Sequence, residues 1–306
     1  MNYNQFKILV FLEKNKNTKN SQRDISKSLN ISLGTVNKVI NDLKKINLID
    51  EKLFITKAGL EALEPYRVKR AIFFAAGFGS RLRPITLNTP KPLVRVHNKR
   101  IIETLLDACE KAEIEDIIVV RGYLKDEFNI LLNKYPNIKF VDNEFYSEQN
   151  NISSAYAVKD YFCNCYILES DLYLTDSNLI QKYEYNTNYL GKYVEKTDDW
   201  CFETKNKKII RYKHGGNNCY HMYGIFHLTE EDSIKLKRDL EYFYNNVPGA
   251  KDCFYDDIAL NYYKDKYDVV VRECEDGIVE IDSFNELKEI DSAYNIWKLF
   301  SFVVQF

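Results

Sequence analysis

Apolar positions follow a helical period at the start of the chain. Phe6, Ile8, Leu9, Phe11 and Leu12 share one face over residues 4–15, and Ser21 is placed to cap a second helix carrying Ile25 and Leu29. Ser32 is placed to cap a third, in which Val36, Ile40 and Leu43 recur at i, i+4 and i+7. Leu48-Ile49 and Leu53-Phe54-Ile55 then flank the charged turn Asp50-Glu51-Lys52 as in a β-hairpin, and residues 57–63 close with a short helix. Pro65 stops that helix and opens a linker over residues 64–69.

Beyond the linker, strand and helix patterns alternate. The run Ala71-Ile72-Phe73-Phe74-Ala75-Ala76 has the length and bounding glycine of a buried parallel strand. Helical spacing follows at 101–112, a buried strand at 114–120, a helix at 125–135, a strand at 138–141, a capped helix start at 150–159 and a strand that ends on Asp171. Such alternation implies right-handed βαβ units around a mostly parallel, Rossmann-like α/β sheet. Residues 190–227 are aromatic and polar with strand-like alternation, and are expected to form a smaller mixed-sheet layer over the substrate. Helices are expected at 233–245 and 256–264, strands at 267–271 and 277–282, and a C-terminal helix from about Ser283; the apolar tail 296–306 reads as packed helix or an oligomer contact.

The chemistry starts where the first of these strands ends. In Gly77-Phe78-Gly79-Ser80-Arg81, two glycines let backbone N–H groups approach a triphosphate, while Arg81 and Lys91 supply positive charge where phosphoryl charge develops. The longer string G-x-G-S-R-L-R-P-x-T-x-x-x-P-K-P-L, running from Gly77 to Leu93, resembles the signature of nucleotidyltransferases that join a nucleoside triphosphate to a sugar phosphate or an alcohol phosphate.

Composition adds limits. At 306 residues and 45% hydrophobic content the chain is expected to form two domains, 1–66 and 67–306, with cores that need no metal or disulfide. Seven cysteines without a C-x-x-C pair or a zinc-spaced histidine read as reduced thiols of a cytoplasmic protein, and the first residues are neither a signal peptide nor a membrane span. The net charge of −2 is uneven: residues 1–66 carry 11 Lys/Arg against 7 Asp/Glu, and the rest 32 against 38.

The first 64 residues resemble the winged-helix domains of bacterial transcription regulators. Their recognition helix would offer Thr35, Asn37, Lys38 and Asn41 to a DNA groove, and a net +4 suits phosphate contacts. Winged helices also serve as protein-binding or dimerisation modules, so DNA and protein partners both stay open, as does oligomer formation.

The strings YSEQNNISSAYAVKDYF, YILESDLYL and GIVEIDSFNEL resemble the bacterial choline-phosphate cytidylyltransferases, which make CDP-choline from CTP and phosphocholine. The resemblance implies that Asp171 and Asp282 hold Mg²⁺ and that Lys91 contacts the transferring phosphate. The nucleotide is expected on Ala75, Ala76, Gly77, Gly79, Ser80, Arg81, Asn151 and Ser153. From Asp198-Asp199-Trp200 and residues 252–257 it implies a choline cage with Trp200 and Tyr255 as walls and Asp256 as counter-charge. The Arg-Pro-x-Thr insertion before Lys91 is closer to the sugar-phosphate enzymes, so a sugar 1-phosphate acceptor is one alternative; a regulator whose α/β domain senses a nucleotide is the other. No general base is needed: a phosphate monoester has a second pKa of about 6 and attacks as an anion at neutral pH.

Overall fold

The computed structural model describes residues 1–296; of the apolar tail, all but Ile296 lies outside the described residues. The chain divides into two compact units, one of Met1–Arg67 with Tyr183–Tyr185, the other of Val68–Lys182 with the chain from Asn186 onward.

In the first unit the helices begin where the caps sit. Helix α1 is Tyr3–Lys14, α2 Gln22–Leu29, α3 Leu33–Lys45 and α4 Lys57–Leu63. Ser21 and Asp24 form a capping box on α2, Ser32 caps α3, Thr56 caps α4, and Asn30 ends α2 in the left-handed region. Phe6, Ile8, Leu9, Ile25, Val36, Ile40, Leu43 and Leu63 bury one face of each helix into a common core that also takes in Tyr183. The wing is reduced to one bridge, Ile49 to Ile55, because the Asp50 carboxylate accepts the Lys52 and Phe54 N–H groups and turns the chain tightly.

The second unit is built on a seven-stranded sheet. Its strands in chain order begin with β1 (Arg70–Ala75); the small pair β2 (Arg95–Val96) and β3 (Lys99–Arg100) leads into α5 (Ile101–Lys111). Then come β4 (Asp116–Arg121), β5 (Ile138–Asp142), α6 (Ile152–Val158), β6 (Cys165–Glu169) and β7 (Leu172–Leu174). The long hairpin β8 (Asn188–Lys205) and β9 (Lys208–Leu228) is followed by α7 (Glu230–Asn246), β10 (Val270–Glu273), β11 (Ile278–Glu280) and α8 (Phe284–Ile290). Strand order is β10-β8-β9-β6-β1-β4-β5, with β1 parallel to both β4 and β6, and β9 antiparallel to β6 and β8. Apolar side chains of β1 enter cores on both faces, Ala71 and Phe73 on one and Ile72 and Phe74 on the other.

Three sequence expectations change. Residues 190–227 are not a separate layer, because β9 completes its ladder directly on β6 and so joins the main sheet. The helix expected at 125–135 is a 3₁₀ helix over Lys125–Asn133, whose buried Phe128 and Leu131 lie three residues apart, the 3₁₀ period. At 256–264 the chain makes a π-helical turn, Ile258–Tyr262, which buries three consecutive residues that no single α-helical face would bury. All seven cysteines are free thiols, and no described helix is long and apolar enough to cross a membrane.

Candidate active site

Three pieces of backbone converge at the carboxyl edge of β1 and β6. After β1 the chain turns through Gly77-Phe78-Gly79. Gly79 has φ +60, and a Cβ there would stand 2.8 Å from Lys91 Cβ, so glycine is what lets Lys91 lie against the loop. Thr86 Oγ1 donates to Gly79 O at 2.8 Å and fixes the turn.

Lys91 is buried and points at two carboxylates, with Nζ 2.8 Å from Asp171 Oδ2 and 2.9 Å from Asp282 Oδ1. Burial alone would lower its pKa; the charges and hydrogen bonds of Asp171 and Asp282 offset this and hold it above the ordinary lysine value. Arg81 Nη2 reaches the same Asp282 oxygen at 2.8 Å. The two aspartates meet because β7 and β11 pair antiparallel immediately beyond them, Leu172 opposite Glu280, and Ile281 N–H donates to Asp171 O at 3.2 Å.

Each aspartate is preceded two residues earlier by a glutamate, in Glu169-Ser170-Asp171 and Glu280-Ile281-Asp282. One oxygen each from Glu169, Asp171 and Glu280 lie within 4.8 Å of one another, and Asp171 Oδ1 is buried without a hydrogen-bond partner. This all-oxygen set beside an orphaned carboxylate oxygen fits a hard divalent cation. Burial and the like charges of Asp171, Asp282 and Asp199 push Glu280 up to about 8, and burial with Asp171 and Glu280 raises Glu169 well above the usual carboxylate range. Gly224 is the close approach on the other side: a Cβ there would meet the Glu169 carboxylate at 2.5 Å.

A cavity of about 910 Å³ opens over these groups. One wall comprises Ala75, Ala76, Gly77, Gly79, Ser80, Arg81, Lys91, Asn151, Asp171 and Asp282, all anticipated from the sequence. The opposite wall comes from the β8–β9 hairpin and the 254–256 segment. Trp200 stacks on Tyr212 with centroids 4.5 Å apart, and meets Phe254 and His214 edge to face at 5.7 and 5.5 Å. Asp256 lines the cavity and is 2% exposed; burial and Asp257 push it up to about 7, although Tyr189 Oη donates to its Oδ2 at 3.0 Å.

Two expected contacts are not made. Tyr255 is 1% exposed and packs against Phe74 and Phe226 in the core, so it is no cage wall; Phe254 faces the cavity in its stead. Ser153 is turned inward, accepting from Asn143 Nδ2 at 2.9 Å and donating to Asn150 O at 2.8 Å, and Ser154 lines the cavity. Sequence reasoning missed Glu169 and Glu280, which the repeated E-x-D spacing could have shown, since each glutamate closes a strand two residues before its aspartate. It also missed Tyr212, His214, Gly224 and His221. One ligand atom each from His221, Asp199 and Glu280 lie within 4.8 Å of one another, and no local motif marks that group.

Comparison with known proteins agrees with this architecture. Residues 70–212 match the nucleotidyl transferase family, and residues 1–50 match the winged helix-turn-helix DNA-binding family. The chain is 37% identical over 229 residues to the 2-aminoethylphosphonate cytidylyltransferase of Lancefieldella rimae, covering 73% of this chain and 92% of that one. It is 32% identical over 228 residues to the choline-phosphate cytidylyltransferase of Streptococcus pneumoniae, covering 72% and 96%. A solved structure of the CTP:phosphocholine cytidylyltransferase from Streptococcus pneumoniae superposes with TM-score 0.68 at 32% identity, over 74% of this chain and 99% of that one. With the glycine loop, Lys91 and the paired aspartates on one sheet edge, the chain belongs to the nucleotidyl transferase family as one of its cytidylyltransferases.

Proposed function

We propose that the protein transfers CMP from CTP to a small phosphonate or phosphate monoester bearing a primary ammonium, with release of pyrophosphate. The observation that carries the acceptor is the group Asp199, His221 and Glu280. Three N–H donors reaching acceptors at about 2.8 Å in tetrahedral directions set those acceptors about 4.6 Å apart, which suits a primary ammonium. A trimethylammonium has no N–H to give them. Burial lowers the pKa of His221 against the opposing charge of Asp199, which favours the neutral ring as an acceptor, and Nδ1 lies 3.3 Å from Thr197 Oγ1. Glu280 belongs both to this group and to the one around Asp171, which keeps the ammonium and the reacting phosphorus a short spacer apart. The Lancefieldella relative, named for 2-aminoethylphosphonate, supports the same reading.

In the reaction an anionic oxygen of the acceptor forms a bond to the α-phosphorus of CTP as the bond to pyrophosphate breaks, in line. Gly77, Gly79 and Ser80 hold the triphosphate through backbone groups, Asn151 and Ser154 flank the nucleoside, and Lys91 and Arg81 stabilise charge as it builds on the phosphoryl oxygens. Asp171 and Asp282 would hold Mg²⁺, with Glu169 beside them, and the ion would neutralise phosphate charge. Lys91 is held beside the residues that would bind the ion, with Nζ 2.8 Å from Asp171 Oδ2 and 2.9 Å from Asp282 Oδ1.

Phosphocholine is the second reading, favoured by the aromatic wall of Trp200, Tyr212 and Phe254, since cation–π contacts contribute about 0.5–2 kcal/mol each. Pyrophosphate release from four NTPs against 2-aminoethylphosphonate, phosphoethanolamine, phosphocholine and glucose 1-phosphate separates the readings. The expected result is CTP with the primary amines, at about tenfold or more over phosphocholine, the worth of about one charged hydrogen bond. Preference for phosphocholine or the sugar phosphate overturns the proposal.

A further inference from the structure

A pair of thiols that CMP transfer does not use sits at the amino end of β6, away from the acidic groups Glu169 and Asp171 at its carboxyl end. Cys163 and Cys165 form a C-x-C pair. The chain bends at residues 163 and 164 instead of running extended into the strand, and the Cys165 thiol donates a hydrogen bond to the Cys163 sulfur. Arg70 opens β1 opposite Cys165 in the ladder. Its Nε is held on Asp116 Oδ2 at 2.9 Å, which leaves Nη1 to face Tyr161 O and, at 3.9 Å, Cys163 Sγ.

The seven sulfurs differ in setting. Cys165 is fully buried, and its bond to Cys163 together with burial raises it well above the ordinary thiol value. Cys163 is half-buried; the bond from Cys165 and the charges of Arg70 and Lys69 lower it, against burial and the opposing charge of Glu230. Cys109, Cys201, Cys219 and Cys274 are buried. Cys253 is half-buried like Cys163, but its sulfur meets Tyr262 Oη at 3.5 Å and Gly249 O at 3.6 Å, with no guanidinium at hand.

A partly exposed sulfur beside a cation, with a second thiol against it, is the arrangement that a hydroperoxide oxidises and a neighbouring cysteine resolves. We infer that Cys163 is a redox modification site, oxidised by hydroperoxides and closed by Cys165 into an intrachain disulfide. The Cys163 thiolate attacks a peroxide oxygen: the S–O bond forms, the O–O bond breaks, and hydroxide leaves and takes up a proton. The Cys165 sulfur then attacks the sulfenic sulfur: the S–S bond forms, the S–O bond breaks, and the leaving hydroxide takes the Cys165 proton. Two thiols lose two electrons in all, and one hydrogen peroxide is reduced to two waters. A dithiol reverses the step by exchange.

The test uses the full, reduced chain. Limited alkylation with iodoacetamide at neutral pH, followed by peptide mapping, ranks the thiols, and treatment with hydrogen peroxide is mapped in the same way without reductant. Cys163 is expected to alkylate about tenfold faster than Cys253, with a rate that levels off at lower pH than that of N-acetylcysteine. Peroxide is expected to make the peptide carrying Cys163 and Cys165 lighter by two hydrogens, and dithiothreitol to restore it. In Cys165→Ser the oxidation stops at a sulfenic acid on Cys163 that dimedone traps, and in Cys163→Ser the Cys165 thiol stays reduced. Alkylation of Cys163 no faster than that of Cys253 overturns the inference. So does a lasting dimedone adduct on the native chain without the lighter peptide, or oxidation of Cys165 in Cys163→Ser; thermal midpoints of the variants show that they are folded.

Discussion

The two walls of the cavity are built by different means. On the phosphate side, a loop held by Gly79, one buried lysine and two E-x-D strand ends bring opposite charges within 3 Å of each other. The hairpin side carries a stacked Trp200–Tyr212 pair, Phe254 at its edge and the buried Asp256, whose pKa is raised by burial and by Asp257. The first wall holds its lysine in place before any ligand arrives and keeps an unpartnered Asp171 oxygen for a cation, and is suited to stabilising a transition state. The second is short of positive charge and is suited to selecting an acceptor that brings it.

If this division of labour is right, damage to the first wall falls on kcat and damage to the second on the acceptor's KM. Lys91→Ala is expected to have the largest effect. Turnover in a pyrophosphate-release assay falls a hundredfold to a thousandfold, as for other preorganised charge stabilisers. Stability in urea falls by roughly 3–5 kcal/mol as well, because two carboxylates lose their buried partner. Near-normal turnover would break the comparison.

Asp256 tests the charge deficit of the second wall. Its folded-state pKa of about 7 lies above the unfolded value, so the native state holds the proton more tightly. Stability is therefore fully present below the unfolded pKa near 4 and is lost as pH rises toward 7, by up to about 4 kcal/mol. Urea titrations at pH 4.5 and 8 should show this slope in the native chain and a flatter one in Asp256→Asn; equal slopes would place the deficit elsewhere.

Gly79→Ala is next. The left-handed φ costs about 1–2 kcal/mol and the new Cβ crowds Lys91, so a loss of about 2 kcal/mol is expected in urea, with turnover falling because Lys91 moves. A fully stable, fully active variant would remove the link between loop and lysine. Trp200→Ala is expected to raise the KM of amine and choline acceptors alike by about tenfold, or about 1.4 kcal/mol, and to leave the KM of CTP unchanged. Lost CTP affinity would put Trp200 on the wrong wall.

The two walls were also unequally legible in the sequence. The glycine loop through Lys91 and the two aspartates, Asp171 and Asp282, line one wall together. Two errors exchange adjacent residues of similar chemistry. Ser153 and Ser154, neighbours on α6, both accept from Asn143 Nδ2 but only Ser154 lines the cavity, and Phe254 lines it while Tyr255 is buried. Composition shows that an aromatic and a hydroxyl are available there. Which of the two neighbours reaches the cavity depends on packing against Phe74, Phe226 and Asn143, residues distant in the chain. The Asp199–His221–Glu280 group shows the same limit, since the β8–β9 register and the β7–β11 pairing assemble it from three separate strands.

The most direct measurement is the ratio of kcat/KM for 2-aminoethylphosphonate to that for phosphocholine, in the native protein and in Asp199→Asn. The substitution keeps one acceptor oxygen and removes the charge, at a cost of about 1 kcal/mol to a bound primary ammonium. The ratio is expected to favour the primary amine in the native protein and to fall about fivefold in the variant, with kcat and the KM of CTP unchanged. An unchanged ratio would contradict the assignment of acceptor choice to this wall, and so would a fall in kcat with both acceptors.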